Sequence, residues 1–237
     1  MINKHIDINK YKTHFELDRR TRVGHFFEDN IAENLHDTLK TKTPYNLNYV
    51  IDNEFKSESE SDMKKKNQAE LSSMTQTVLD QASKGIGFIY QGYANNPQNK
   101  ALSLTNESLK PLHAAFDFLN TDACLNVIKE ITGDKEIYSA ECQFTRFLPG
   151  HFLTRHQDEV DSRNRKYAFV ISLTKDWHTD WGGLLQFYFE DGTPKEPYNQ
   201  VFNAMSLFDI KHIHSVTYIA PFAKRPRLSL TGWFLGK

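Results

Sequence analysis

Two hydropathy rhythms divide the chain. Through about residue 135, apolar side chains mostly recur every three or four positions. In "EDNIAENLHDTLK", Ile31, Leu35 and Leu39 stand four apart and predict a short amphipathic helix. "QAELSSMTQTVLDQAS" carries Leu71, Met74, Val78 and Leu79 at helical spacing, with Gly85 just past its end. "LKPLHAAFDFLN" and "TDACLNVIKEITG" predict two further helices, the second stopped near Gly133. His36 and His113 fall inside such helices and have no neighbouring ligands that would commend them. One run in this half, "GIGFIYQGYAN", reads as a strand. "SESESDMKKK", an acidic run meeting a basic one, predicts a solvated, mobile loop at about 56–67.

From about Ile137 the period drops to two. "IYSAECQFTRFL", "HFLTRHQD", "KYAFVISLT", "GLLQFYFE", "QVFNAMSLFDI", "IHSVTYIA" and "RLSLTGWFL" predict strands. Turn-rich runs separate them: "PG", "DSRNR", "DWHTDWGG" and "DGTPKEP". So many strands without intervening helices argue for an antiparallel sandwich or barrel. The expected fold is mainly β with helical support, an α+β arrangement. It is one domain over 1–237, with a helical and strand support at 1–135 and a β core at 136–237.

Composition refines this picture only modestly. The 237 residues are 39% hydrophobic, enough for one substantial core, and the 17 Phe and 10 Tyr suit strands and broad pockets. A net charge of −1 points to neither nucleic acid nor a membrane surface as partner. Cys124 and Cys142 are too few for a disulfide framework or a Cys-rich zinc site. No segment has the length of a membrane span, and "MINKHIDINKYKTHFELDRRTR" has no apolar leader, so a cytoplasmic protein is expected. Oligomeric state is not legible.

The chemistry concentrates in the second half. In "HFLTRHQDEVDS", His156 and Asp158 stand two apart, and on a strand such residues point the same way. An imidazole and a carboxylate suit a divalent transition metal. Two ligands hold an ion loosely, and "DIKHIHSVTYIA" offers His212 or His214 as a third. Two His and one carboxylate on one face leave the remaining positions open, the geometry of non-haem iron oxygenases. His178 and Asp180 form a rival pair, but "DWHTDWGG" reads as a turn, which forces no such alignment. In "RPRLSLTGWFL", Arg227, Ser229, Thr231 and Trp233 share one strand face, with Leu228, Leu230 and Phe234 on the other. A guanidinium and two hydroxyls in a row are costly in a core unless something polar, such as a carboxylate, fills the space. Arg225 is a rival anchor, but regular alternation begins at Arg227.

The order of these residues resembles the 2-oxoglutarate- and iron(II)-dependent dioxygenases, and more closely their prolyl 4-hydroxylase-like branch. The matching stretches are "RFLPGHFLTRHQD", "ISLTKDWHTDWGGLLQFYFEDG", "HIHSVTYIA" and "RLSLTGWF". The resemblance implies a double-stranded β-helix, a jelly-roll or cupin-like core. It implies iron(II) on His156, Asp158 and His214, the last preferred over His212. Arg227 with Ser229 would bind the distal carboxylate of 2-oxoglutarate. Thr231, Trp233, Val170, Ser172 and Leu185 would line its pocket. Ser172 and Phe147 stand where relatives often carry Tyr, so fewer phenol donors are expected. Dioxygen would be the second cosubstrate, and ascorbate a reductant. The implied reaction hydroxylates an unactivated C–H bond and releases succinate and CO2. The implied substrate is a prolyl residue of a protein or peptide. A free amino acid or small natural product is an alternative, and so is a non-catalytic 2-oxoglutarate or metal sensor.

Overall fold

Period-two alternation from 137 onward sends one set of side chains to each face of a sheet, so each strand needs two environments. The computed structural model describes residues 1–159 and 163–237 and supplies both. The expected turn at "DSRNR" lies partly outside the described residues. Strands β5 (Ile137–Phe147), β6 (Phe152–His156), β7 (Arg165–Ser172), β8 (Leu185–Tyr188), β9 (Ala204–Asp209), β10 (Ile213–Val216) and β11 (Arg227–Gly236) occupy the seven predicted runs. The N-terminal half adds β1 (Arg20–Val23), β2 (Asn46–Ile51), β3 (Glu54–Ser59) and β4 (Phe88–Ala94).

All pairings are antiparallel, in the order β1-β9-β7-β11-β5-β4-β6-β10-β8, with β2 and β3 branching from β4. A broad limb (β9, β7, β11, β5) and a short limb (β6, β10, β8) are joined through β4, which pairs with both β5 and β6. Side chains of both limbs line one cavity, so the sheet curls on itself as a jelly-roll core does.

The helices are α1 (Ile8–Asp18), α2 (Asp29–Thr41), α3 (Glu60–Met63), α4 (Gln68–Lys84), α5 (Pro97–Thr105), α6 (Lys110–Leu119) and α7 (Asp122–Thr132). Leu35 and Leu39 of α2, Leu112 and Phe116 of α6, and Leu125 and Ile128 of α7 share a core with Phe144, Phe169, Leu228, Leu230 and Phe234. The helices therefore cover the outer face of the broad limb. Each fully buried Phe or Leu contributes about 2 kcal/mol by leaving water, which is why this face is uniformly apolar. The inner face is left free for polar residues. Thr121 caps α7, and Gly133, at φ 74°, ends it in the left-handed conformation glycine adopts without penalty. None of the described helices is long and apolar enough to cross a membrane.

The charged run departs from expectation. It lies in β3, α3 and the residues that follow, rather than in a free loop. Glu60 pairs with Lys64 at 2.7 Å, Asp62 with Lys65 at 2.7 Å and Glu58 with Lys66 at 3.0 Å. An edge strand exposed on both faces needs no apolar alternation, so its pattern resembles a loop. α4 then starts on a reciprocal cap between Asn67 and Glu70.

Asn203 fastens the N-terminal segment to the core. It is buried, sits at φ 59°, accepts from Phe27 N–H at 2.9 Å and donates to Phe27 C=O at 2.8 Å. Its own backbone bonds Phe26 and Ser172. Asn203→Ala leaves two buried peptide groups unpaired, so urea denaturation should show a loss of about 2–4 kcal/mol. A loss below half of that would mean the clamp is not structural.

Candidate active site

The cavity between the limbs has a volume of about 220 Å³. β11 supplies Arg227, Ser229, Thr231 and Trp233 to it, and their alternates Leu228, Leu230 and Phe234 enter the helix-covered core. The short limb supplies Leu153, His156, His214, Val216 and Leu185.

β6 and β10 pair with one residue in excess. His156 stands opposite His214 and Leu153 opposite Val216, so three steps on β6 match two on β10. This is a bulge, and it turns His156 to the same side as Leu153. Asp158 lies beyond the end of β6, so two-residue alternation within a strand is not what aims it. Its backbone N–H donates to Ile210 C=O at 3.2 Å, which pins it beside the start of β10.

The result is a tight cluster. One ligand atom from each of His156, Asp158 and His214 lies within 4.8 Å of the others. His156 Nε2 is 3.7 Å from Asp158 Oδ1, and His214 Nε2 is 3.4 Å from Asp158 Oδ2. Each imidazole places Nδ1 2.9 Å from a carbonyl, Thr154 for His156 and His212 for His214. A carbonyl only accepts, so Nδ1 carries the proton and Nε2 presents a lone pair. Two lone pairs and a carboxylate converging on one point repel unless a cation lies among them. Burial first, and then the neighbouring His156, pushes the His214 imidazole down to about 4, which holds it neutral as a ligand must be. The donor set fits a divalent transition metal.

The rivals lie elsewhere. His178 and Asp180 pair at 3.5 Å with their side chains largely exposed, in the turn around Thr179–Trp181. His212 donates through Nε2 to Asp18 C=O at 2.8 Å. Arg225 pairs with Asp176 at 2.8 Å on the surface.

Arg227 is 1% exposed and has no acidic partner among the described residues. Its Nε donates to Gly183 C=O at 2.8 Å and its Nη1 to Ser229 Oγ at 3.1 Å. Nη2 is buried without a partner among the described residues. Burial pushes the guanidinium down to about 10, still charged near neutrality. A buried cation with an unused N–H edge, facing a small cavity, fits a carboxylate.

Val170 and Leu185 line the cavity, as expected. Thr231 lines it while donating to Phe169 C=O at 3.0 Å. Ser172 does not line it and instead borders an adjoining void. Phe147 forms wall, and Tyr90 of β4 stacks on it with ring centroids 5.2 Å apart. The Tyr90 phenol accepts from Gln143 Nε2 at 3.2 Å. A phenol therefore does reach the cavity, from β4 in the N-terminal half. Gly183 and Gln200 also escaped sequence reasoning, because they act through a backbone carbonyl and a loop amide.

Residues 142–235 match the 2OG-Fe(II) oxygenase superfamily. Comparison with curated proteins gives no match. The fold is similar to that of a Pseudomonas putida prolyl-4-hydroxylase, with 21% identity over 97% of this chain and 99% of that one and a TM-score of 0.61. It is also similar to an oxidoreductase of the 2OG-Fe(II) oxygenase family from Burkholderia pseudomallei, at 13% identity over 99% and 93% with a TM-score of 0.60. A Trichoplax adhaerens prolyl hydroxylase, solved with a hypoxia inducible factor peptide fragment, gives 13% identity over 97% and 89% and a TM-score of 0.54. The β core thus carries the match to the 2OG-Fe(II) oxygenase superfamily, in a fold similar to that of prolyl 4-hydroxylases.

Proposed function

We propose that the protein hydroxylates a prolyl residue in a protein or peptide, using iron(II), 2-oxoglutarate and dioxygen. In this reading His156, Asp158 and His214 hold the iron. Arg227 and Ser229 grip the distal carboxylate of 2-oxoglutarate, and Val170, Leu185 and Thr231 wall its carbon chain. Iron with 2-oxoglutarate and dioxygen supplies an oxidant that inserts one oxygen atom into an unactivated C–H bond, the other oxygen leaving in succinate as CO2 is released. The chain's residues orient these groups and keep water out.

The observation that carries the substrate reading is the cavity's size and lining. Drug-sized ligands occupy about 300–1,000 Å³, more than the 220 Å³ that cosubstrate and substrate must share here. A single small ring fits beside the cosubstrate while the rest of a peptide stays outside. Phe88, Tyr90, Phe147 and Trp233 offer an aromatic wall suited to an apolar ring. Trp233 Nε1 is a buried donor without a partner among the described residues, and the Arg165 guanidinium lies 3.4 Å from its ring centre. Such a donor suits a peptide carbonyl. The peptide seen on the Trichoplax enzyme is in keeping with this.

Three outcomes test the reading. His156→Ala should abolish Co(II) binding followed by absorption, while His178→Ala retains it; the reverse result moves the metal to the surface turn. Arg227→Ala should weaken 2-oxoglutarate by about 2–5 kcal/mol in calorimetry on Zn(II)-loaded protein, the scale of a broken buried charge pair. Gly183→Ala should weaken it too, since the residue has φ 64° and a Cβ would stand 2.4 Å from Ile219 Cδ1 and 3.1 Å from Arg227 Cδ. Unchanged affinity in both variants would remove Arg227 from the cosubstrate site. Finally, mass spectrometry of cell proteins with and without the gene should find a proline carrying one added oxygen. The purified enzyme, supplied with ascorbate, should repeat that modification with succinate release. Turnover of free amino acids alone would replace the peptide substrate, and 2-oxoglutarate binding without any succinate would leave a sensor.

A further inference from the structure

Behind the anchor lies a second, much smaller void of about 10 Å³. It shares Val170, Leu185 and Arg227 with the main cavity, so it adjoins the wall at the arginine end. Three residues lining it hold buried polar atoms without a partner among the described residues: Ser172 Oγ, Gln200 Oε1 and Arg227 Nη2. These residues are 5%, 8% and 1% exposed, so bulk solvent does not satisfy them.

The three atoms are chemically complementary. Gln200 Nε2 donates to Gly183 C=O at 3.0 Å, the same carbonyl that accepts from Arg227 Nε at 2.8 Å. A carbonyl only accepts, which settles the amide's orientation and leaves Oε1 as an acceptor. Arg227 Nη2 is a donor, and the Ser172 hydroxyl is both. A void of ~10–15 Å³ with polar walls holds one water, and a water needs two to four such partners. Apolar voids stay dry, but this one is bordered by a guanidinium, an amide and a hydroxyl.

We propose that one internal water bridges Arg227 Nη2, Gln200 Oε1 and Ser172 Oγ, and that Gln200 and Ser172 are thereby positioning residues for the cosubstrate anchor. The guanidinium is then held from three sides: by the Gly183 carbonyl, by Ser229 and by the water. Nη2 carries two N–H groups, so one meets the water and the other stays presented to the cavity. This inference rests on the reading of Arg227 as the anchor for the distal carboxylate.

A crystal structure of the metal-loaded protein without cosubstrate should show one ordered water within hydrogen-bond distance of all three atoms. Direct contact of Gln200 Oε1 with Ser172 Oγ or Arg227 Nη2, with no water between, overturns the proposal. In solution, Ser172→Ala and Gln200→Leu should each bind 2-oxoglutarate about tenfold more weakly in calorimetry on the Zn(II)-loaded protein, the scale of one lost hydrogen bond to a charged group. Both should bind 2-oxobutyrate, which lacks the distal carboxylate, as the unaltered protein does. Equal weakening of both acids reports general damage and overturns the proposal, as does no weakening of either. Should one variant fail to fold, the crystal structure and the other variant still decide. If the unaltered protein fails to prefer 2-oxoglutarate over 2-oxobutyrate, the anchor reading itself falls, a result distinct from these.

Discussion

A guanidinium buried without an acid is the constraint around which this protein is arranged. Arg227 is almost wholly removed from water, and removing an ion from water is tolerated only where polar groups surround it. The chain meets that demand with neutral groups, the Gly183 carbonyl and the Ser229 hydroxyl, and no carboxylate among the described residues pairs with it. The positive charge therefore stays uncompensated and faces the cavity. Much else follows from keeping it there. β11 must lie centrally, between β5 and β7. Helices must seal its other face, and Gly183 must stay in a conformation that brings its carbonyl close.

At the opposite limb the same logic runs with the sign reversed. Three electron-rich atoms are forced together by the bulged pairing of β6 with β10 and by the tether from Asp158 to Ile210. Each imidazole is locked by a carbonyl behind it, so neither can relieve the crowding by turning a proton inward. One end of the cavity thus calls for a cation and the other for an anion.

The residues that meet those two demands were legible in the sequence because their chemistry is scarce. Few side chains bind metals, and an arginine in an alternating apolar strand stands out. His156, Asp158 and Arg227 could be picked from type and spacing, and His214 over His212 only through the family resemblance, although the reason given for Asp158 was incomplete, since it sits past the strand end. What stayed hidden works through features every residue has. Gly183 contributes a backbone carbonyl, and Gln200 is an ordinary amide in a loop. Tyr90 becomes meaningful only when β4 pairs beside β5, which brings its phenol to Gln143 across 53 positions of sequence. The same limit explains β2 and β3. An edge strand wet on both faces carries no alternation, and its pairing is fixed by neighbours the local pattern does not mention.

β4 joins the two limbs by only two register pairs to β6, Phe88 with Leu153 and Ile89 with Phe152, against four to β5. The seam opposite the anchor is therefore slender. A small molecule held at one end by the short limb's ligands and at the other by Arg227 would span that seam as a second tie. Any ligand confined to the native state adds RT ln(1 + [L]/Kd) to its free energy. The persistence of the folded chain would then rise with the concentration of whatever ligand bridges the two limbs.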